Sequence, residues 1–350
     1  SLCGTAEHHG VSCHPNDRYQ PFPLNPVQHA YYVGQMTEGV AVHGFQRIRF
    51  PTLDLERFEE AWNAVVQRHD ALRTIVDNGK QRVLREVPFW RLPVFPSVEE
   101  RRKVYPEDTH RLNDPHAYPA AFDLSVVPRD DAVELYVHSY AQFCDAWGWA
   151  TVWAEVWAAY SGAALPPPPT ALFRDAAIHE AAPPSPDDDD YWTRRLPSIG
   201  LPPTLPGVEP TPDSAAHFER VVGRVDPAAF ERVQALARST RTTPNVVLLE
   251  AYGRVLARWT ADPCFAITVT IFHRPKGYED VVGDFTRLAL YTTSTETDVD
   301  TRLRACMAQT IAVFQHPTVN NIQPTALLTH TTTTTADLSP CIRTQKQHPS

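Results

Sequence analysis

A proline-rich stretch in the middle of the chain is the feature that most restricts how this sequence can fold. Proline accounts for 33 of the 350 residues, and much of it lies between residues 163 and 212, including the run 166–169 and the segment 201–206. Proline fixes φ and lacks a backbone N–H, so this density disfavours helices and central strands and favours extended chain. We therefore predict a connection over residues 166–213, with one short helix near 191–196, between two lobes.

Strand and helix patterns alternate on both sides of this connection. Before it, residues 42–50 and 81–87 have the character of strands, and Asp54 precedes a helix with apolar residues at helical spacing. After it, the patterns predict strands over 217–225, 265–272 and 288–293 and helices that begin at Pro227, Pro244 and Arg302. A chain of 350 residues is long enough for two lobes with a core each.

The sequence therefore predicts an α/β (α+β) fold with five segments. They are a disordered N-terminal segment (1–18), an N-terminal lobe (19–165), the proline-rich connection (166–213), a C-terminal lobe (214–325) and a threonine-rich tail (326–350).

Composition excludes several classes of function. The net charge is -9, with acidic residues clustered at 187–190 and no basic stripe, which argues against a nucleic-acid partner. No apolar run approaches the roughly 20 residues of a membrane span, and residues 1–18 do not have the pattern of a signal peptide. The six cysteines lack CxxC spacing, so we expect reduced thiols in a cytoplasmic protein and no metal site.

Asp145 lies in a loop between a predicted strand and a predicted helix. Residues 133–137 alternate between apolar and polar, while Val152, Val156 and Tyr160 recur at helical spacing. An aspartate in such a loop commonly caps the helix or pairs with a buried arginine, and a functional role is the alternative.

Five segments, in the same order along the chain, resemble the condensation-domain superfamily of nonribosomal peptide synthetases, and most closely its heterocyclization branch. They are 21–34 (PFPLNPVQHAYYVG), 68–73 (RHDALR), 191–206 with its Tyr-Trp pair and prolines, 243–259 (TPNVVLLEAYGRVLARW), and Phe272 with Arg274-Pro275 and 282–286 (VGDFT). The resemblance runs from about Tyr19 to about Ile322.

This resemblance implies a fold like that of chloramphenicol acetyltransferase, with two lobes forming a V around a tunnel. It also implies partners: carrier proteins upstream and downstream, which present substrates on phosphopantetheine arms, and an adjacent adenylation domain. No cofactor bound by the chain itself is expected. The implied reaction joins an acyl or aminoacyl donor to a Cys, Ser or Thr acceptor and cyclizes the product to a thiazoline or oxazoline.

The sequence departs from the family pattern around Asp145. Ordinary condensation domains carry HHxxxDG, but alignment on Asp145 puts Tyr140 and Ala141 at the two histidine positions, and alanine cannot transfer a proton. The cyclization branch carries DxxxxDxxS; here Tyr140 replaces its first Asp and Gly148 its Ser. The late FTS and WLD-like motifs, which supply a Thr and an Asp for cyclodehydration, are not found. We therefore expect an incomplete second lobe.

Four residues are the candidates for chemistry: Asp145, Asp284, Thr286 and His138. The resemblance gives Asp145 mainly a bracing role. Asp284 and Thr286 either line the active-site tunnel or stabilise a turn, and His138 is a possible substitute base.

Four further residues are expected to be structural: Arg68, His69, Arg73 and Arg274. For His69, a satisfied core histidine is the simpler interpretation and a ligand the alternative. The predicted function is a condensation or heterocyclization domain, impaired by the missing motifs. A noncatalytic domain that only docks carrier proteins is the alternative.

Overall fold

The computed structural model describes residues 7–8, 11–39, 41–106, 108, 111–183, 185–207, 221–260, 262 and 264–316. The chain divides into two compact units. Residues 1–182 and 272–286 form the first, and residues 183–271 and 287–350 form the second. The division after residue 182 lies within the predicted connection. Residues 272–286, however, were assigned to the C-terminal lobe from the sequence and belong to the first unit.

In its described residues the first unit contains eight strands and five helices. The strands are β1 (Glu7–His8), β2 (Val11–Ser12), β3 (Phe22–Pro23), β4 (His43–Phe50), β5 (Thr74–Asp77), β6 (Lys80–Val83), β7 (Phe122–Arg129) and β8 (Ala132–Tyr140). The helices are α1 (Pro26–Glu38), α2 (Leu55–Arg68), α3 (Val98–Val104), α4 (Ala146–Tyr160) and α5 (Phe173–Ala181).

The main sheet of this unit is antiparallel, in the order β4-β8-β7. His43 pairs with Tyr140 at one end of β4 and Phe50 with Val133 at the other. Strand β8 is the central strand of this sheet, and the chain continues from its last residue, Tyr140, into the loop that carries Asp145. A smaller sheet has the order β3-β6-β5.

The core of the first unit lies between the main sheet and helices α2 and α4. Asp54 caps α2 by accepting a hydrogen bond from the Arg57 N–H at 3.1 Å, as its position before the apolar pattern predicted. Trp62 on α2 is fully buried and packs edge-on against Phe122 of β7, with ring centroids 4.9 Å apart. The buried apolar face of α2 therefore fixes the helix on the sheet.

The N-terminal segment differs from the prediction of disorder over residues 1–18. In its described part, β1 and β2 pair antiparallel, and Val11 is 1% exposed. Arg18 forms a two-pronged ion pair with Asp70, at 2.7 to 3.0 Å. The prediction was wrong for these residues because the burial of Val11 and this ion pair attach the segment to the first unit.

In its described residues the second unit has four helices and two strands. They are α6 (Pro186–Arg195), α7 (Pro227–Thr240), α8 (Pro244–Leu256), β9 (Ala266–Phe272), β10 (Thr286–Thr292) and α9 (Val299–Gln315). Strands β9 and β10 form a two-stranded sheet, and only their end residues Phe272 and Thr286 belong to the first unit. A buried ion pair lies beneath α8: Glu250 accepts hydrogen bonds from the Tyr291 hydroxyl and from Arg302 Nε, both at 2.6 Å.

Two further predictions differ from the structure. Residues 221–225 of the predicted strand 217–225 form no strand and pair with none of the described strands, and Val221 is 95% exposed; residues 217–220 lie outside the described part. The connection holds α5 and α6 rather than one short helix, since Ser185 caps α6 and Pro186 occupies its first turn.

The threonine-rich tail, and with it the expected loss of C-terminal elements, lies outside the described residues. Within the described ranges no helix is both long and apolar enough to span a bilayer.

Candidate active site around Asp145

Asp145 lies where the chain passes from β8 into α4. It is the N-cap of α4, since its Oδ1 accepts a hydrogen bond from the Gly148 N–H at 2.7 Å. Its side chain is fully buried. A carboxylate at this position satisfies a free N–H of the first helical turn and interacts favourably with the helix dipole.

The same carboxylate also holds the segment 272–286. Arg274 Nη2 donates to Asp145 Oδ1 at 2.7 Å, and the Phe285 N–H donates to Oδ2 at 3.0 Å. In the opposite direction, the Asp145 N–H donates to the Gly283 carbonyl at 3.1 Å. We call Asp145, Arg274 and Phe285 the latch. Its cation and backbone donors compensate the buried carboxylate for lost hydration.

Arg274 supplies the positive charge of the latch. Its side chain is only 7% exposed, and its guanidinium carbon lies 4.6 Å from the centre of the Phe285 ring. This is the distance of a cation–π contact. Its Nε and Nη1 have no hydrogen-bond partner among the described residues. Arg274 therefore pairs with Asp145 and keeps two N–H donors that no described residue uses; its structural role stays a prediction.

Asp284 lies beside the latch and is fully buried. Its Oδ1 accepts a hydrogen bond from the Thr286 N–H at 3.1 Å, while its Oδ2 has no partner in the described part of the chain. Burial, with repulsion from Asp145, raises the pKa of Asp284 well above its usual range. Asp284 therefore keeps its proton to a higher pH than an ordinary aspartate does. Its bond to Thr286, a residue only 5% exposed, is the turn-stabilising contact that the sequence analysis kept as an alternative.

His138 lies on β8 in a separate polar cluster. Its Nε2 is 3.2 Å from Asp108 Oδ1, and its ring stacks on Phe45 at 4.9 Å and lies 5.2 Å from His43. Burial lowers the pKa of His138 despite the opposing effect of Asp108. For Asp108, burial raises the pKa, but hydrogen bonds from His138 and Arg101 outweigh it and bring the value to about 2. Among the contacts of the described residues, none joins His138 to the latch.

The remaining predicted structural residues are buried and paired. His69 Nε2 and Arg68 Nη1 contact the two oxygens of Glu155 at 2.7 and 3.2 Å. Arg73 Nη2 contacts Asp70 at 2.8 Å, and the same guanidinium donates to several backbone carbonyls. These contacts satisfy the His69 ring and both guanidinium groups within the protein, and the structural role of the three residues stays a prediction.

A family model for the condensation domain matches residues 136–340. This match covers more than half of the 350 residues. The chain belongs to the condensation-domain family. The segment from β8 through α4, which places Asp145, lies inside the matched region.

Sequence relatives support the same assignment. Pyochelin synthetase PchF of Pseudomonas aeruginosa is 29% identical over 367 residues, which cover 96% of this chain and 20% of that protein. Phenyloxazoline synthase MbtB of Mycobacterium sp. is 31% identical over 286 residues, which cover 76% of this chain and 24% of that protein. The predicted similarity to the heterocyclization branch is thereby confirmed. The chain spans about a fifth to a quarter of the length of these relatives.

Solved structures confirm the predicted condensation-domain fold. A crystal structure of the nonribosomal peptide synthetase FmoA3 superposes with a TM-score of 0.79 and 29% identity, covering 93% of this chain and 35% of that one. The cyclization-docking bidomain of EpoB from Sorangium cellulosum gives a TM-score of 0.80 at 23% identity, covering 91% of this chain and 70% of that one, which is a similarity of fold.

The structure gives a physical reason for one departure of this condensation domain from the cyclization motif. A Cβ added to Gly148 would lie 2.5 Å from Cys144 Sγ and 3.3 Å from Asp145 Oδ1. A serine at 148 is therefore incompatible with Cys144 in its present position. At the other altered motif position, the hydroxyl of Tyr140 is buried and lacks a hydrogen-bond partner in the described structure, and burial raises its pKa.

Sequence reasoning missed a buried amide network at the start of α1. Asn25 and Gln28 form a reciprocal capping box, and the Gln28 side chain also exchanges hydrogen bonds with Gln81. Gln28 Nε2 donates to the Gln142 carbonyl at 2.7 Å, and Asn25 Nδ2 donates to the Asp284 carbonyl at 2.8 Å. The Asn-x-x-Gln spacing of residues 25–28 was the available signal for this turn.

Proposed function

We propose that this chain is the part of a nonribosomal peptide synthetase that joins a carrier-bound acyl or aminoacyl donor to a carrier-bound Cys, Ser or Thr. The partners are peptidyl carrier domains upstream and downstream and an adjacent adenylation domain, in the cytoplasm. The substrates arrive on the carriers' phosphopantetheine arms, and the chain itself holds no cofactor. The observation that carries the proposal is the latch, which fixes the Asp145 loop against segment 272–286.

In the proposed reaction the acceptor amine attacks the donor thioester carbonyl. The C–N bond forms, the C–S bond breaks, and the amine proton passes to the departing thiolate. Two tethered substrates need chiefly positioning, and orientation alone can supply roughly 7–11 kcal/mol of the barrier. Because Ala141 offers no base and the Asp145 carboxylate is occupied by the latch, positioning is the main contribution available from this loop.

Cyclization requires more, because loss of water needs a proton donor and a base close to the reacting atoms. The raised pKa of Asp284 favours its protonated form and Thr286 lies beside it, so these two residues are the candidates in this chain for proton donation and for contact with substrate. His138 is a weaker candidate, since it lies in the Asp108 cluster. We expect slow condensation and no heterocycle.

The test is a reaction with donor-loaded and cysteinyl-loaded carrier proteins, followed by mass spectrometry of the carrier-bound product. A linear dipeptide, absent when this chain is omitted, supports condensation. A product lighter by one water contradicts the predicted loss of cyclization. Carrier binding without any product supports the alternative of a noncatalytic docking domain, which the absence of a titratable group at Ala141 favours.

A further inference from the structure

Gln142 is an exception among the buried amides of the first unit. It is 3% exposed, yet neither its Oε1 nor its Nε2 has a hydrogen-bond partner among the described residues. Gln81, at 1% exposure, donates to the Pro23 carbonyl and to Gln28 Oε1, so its amide is satisfied. Each buried polar group without a partner is costly, and native proteins rarely retain both ends of an amide in that state.

The backbone of Gln142 is nevertheless held firmly. Its carbonyl accepts from Gln28 Nε2 at 2.7 Å, and the Asp284 carbonyl accepts from Asn25 Nδ2 at 2.8 Å. The first turn of α1 thus fixes the main chain at two residues whose side chains both carry unpartnered, buried atoms. A rigid main chain that presents unsatisfied side chains is the arrangement expected of a preorganised binding site.

The charges around this point favour an uncharged ligand. The Asp145 carboxylate is already balanced by Arg274, and burial raises the pKa of Asp284, which disfavours its charged form. A carboxylate or phosphate would add a buried charge for which the described residues offer no free counter-charge, and this is energetically expensive. The Gln142 amide offers one acceptor and one type of donor, which complement the N–H and C=O of another amide.

From these observations we propose that Gln142 is a positioning residue that hydrogen-bonds a neutral amide group of the substrate or product. In the proposed reaction, on which this inference rests, that group is the newly formed peptide bond or an amide of the acyl donor. Nε2 donates to the ligand carbonyl and Oε1 accepts from its N–H.

The first test uses protein stability, with a matched control. Gln142→Met preserves length and removes two unpartnered polar atoms, so the full chain should keep or raise its thermal midpoint. Gln81→Met removes satisfied hydrogen bonds and should lower it. An equal loss in both variants would overturn the inference, because it would show that the Gln142 amide already has a protein or water partner.

The second test measures binding of N-acetyl-L-cysteine N-methylamide to the full chain by titration calorimetry or NMR. Wild type should bind this neutral amide, and Gln142→Met should bind it roughly tenfold more weakly, the factor of about one net hydrogen bond. The carboxylate N-acetyl-L-cysteine should bind more weakly than the amide in wild type. Equal affinity of wild type and Gln142→Met for the amide would overturn the inference.

The two proposals fail separately. Gln142-dependent amide binding by a chain that forms no peptide product supports this inference and contradicts the proposed function. If Gln142→Met forms product at the wild-type rate and with the wild-type dependence on substrate concentration, the inference is contradicted and the proposed function stays intact.

Discussion

The latch allows a quantitative prediction. Replacing Arg274 with leucine removes its cation but leaves Asp145 buried, with two backbone N–H groups as remaining donors to the carboxylate. Removing one partner of a buried ion pair typically costs about 3–5 kcal/mol. Because Gly148 and Phe285 still donate to Asp145, we expect Arg274→Leu to lower the free energy of unfolding by about 3 kcal/mol, a large part of the roughly 5–15 kcal/mol of a typical domain.

Urea unfolding followed by tryptophan fluorescence measures this loss. The variants are Arg274→Leu, Asp145→Asn and the double variant. The double variant should lose less stability than the sum of the single variants, because no buried charge is then left unpaired. The matched control is Arg49→Leu, which breaks an ion pair with Asp131 whose side chains are 59% and 75% exposed and should leave the midpoint unchanged.

The reasoning is refuted if Arg274→Leu unfolds at the same urea concentration as wild type. That result would mean that the Asp145 carboxylate needs no cation. Additive losses in the double variant would also contradict a direct interaction between the two side chains.

Three other substitutions test the electrostatics and packing of the first unit. Asp284→Asn should be at least as stable as wild type at pH 7, because the raised pKa of Asp284 stabilises wild type fully only below about pH 3.8 and this stabilisation is lost as the pH rises. Thermal midpoints between pH 4 and 8 would show it, and a clear loss of stability in the variant at pH 7 would contradict the raised pKa. Asp108 has the opposite sign, since its pKa of about 2 lies below 3.8: Asp108→Asn should cost about 1 kcal/mol at pH 7, allowing for partial exposure, and urea midpoints should converge with wild type as the pH falls towards 2. Gly148→Ser should cost about 1–3 kcal/mol in urea unfolding by steric overlap, and Cys144→Ala in the same chain should recover much of it; no recovery would rule out the clash with Cys144.

Local signals in the sequence predicted much of the fold. Asp54 before an apolar helical pattern and Pro244 after a capping threonine each mark a helix that the structure contains. Asp145 was expected to be an N-cap or the partner of a buried arginine, and it is both. These predictions succeed because capping and amphipathic spacing depend on residues only a few positions apart.

The rest depends on contacts between distant residues. Arg274 is 129 residues from Asp145, and Asn25 is 259 residues from Asp284, so no local pattern could pair them. Gln142 carries no sequence signal of its own, because its importance lies in partners that it lacks. The assignment of 272–286 to the first unit likewise follows from long-range packing and not from the composition of the segment.

The position of segment 272–286 in the chain has a consequence for biosynthesis. At a translation rate of roughly 5–20 residues per second, the 129 residues between Asp145 and Arg274 take about 6 to 26 s to synthesise. By the end of that interval the residues of the main sheet and of α1 to α5 have all been synthesised, and only then does Arg274 become available to the Asp145 carboxylate. The first unit is thus complete only after residues 183–271 of the second unit have been synthesised, so the cation of the latch is added late.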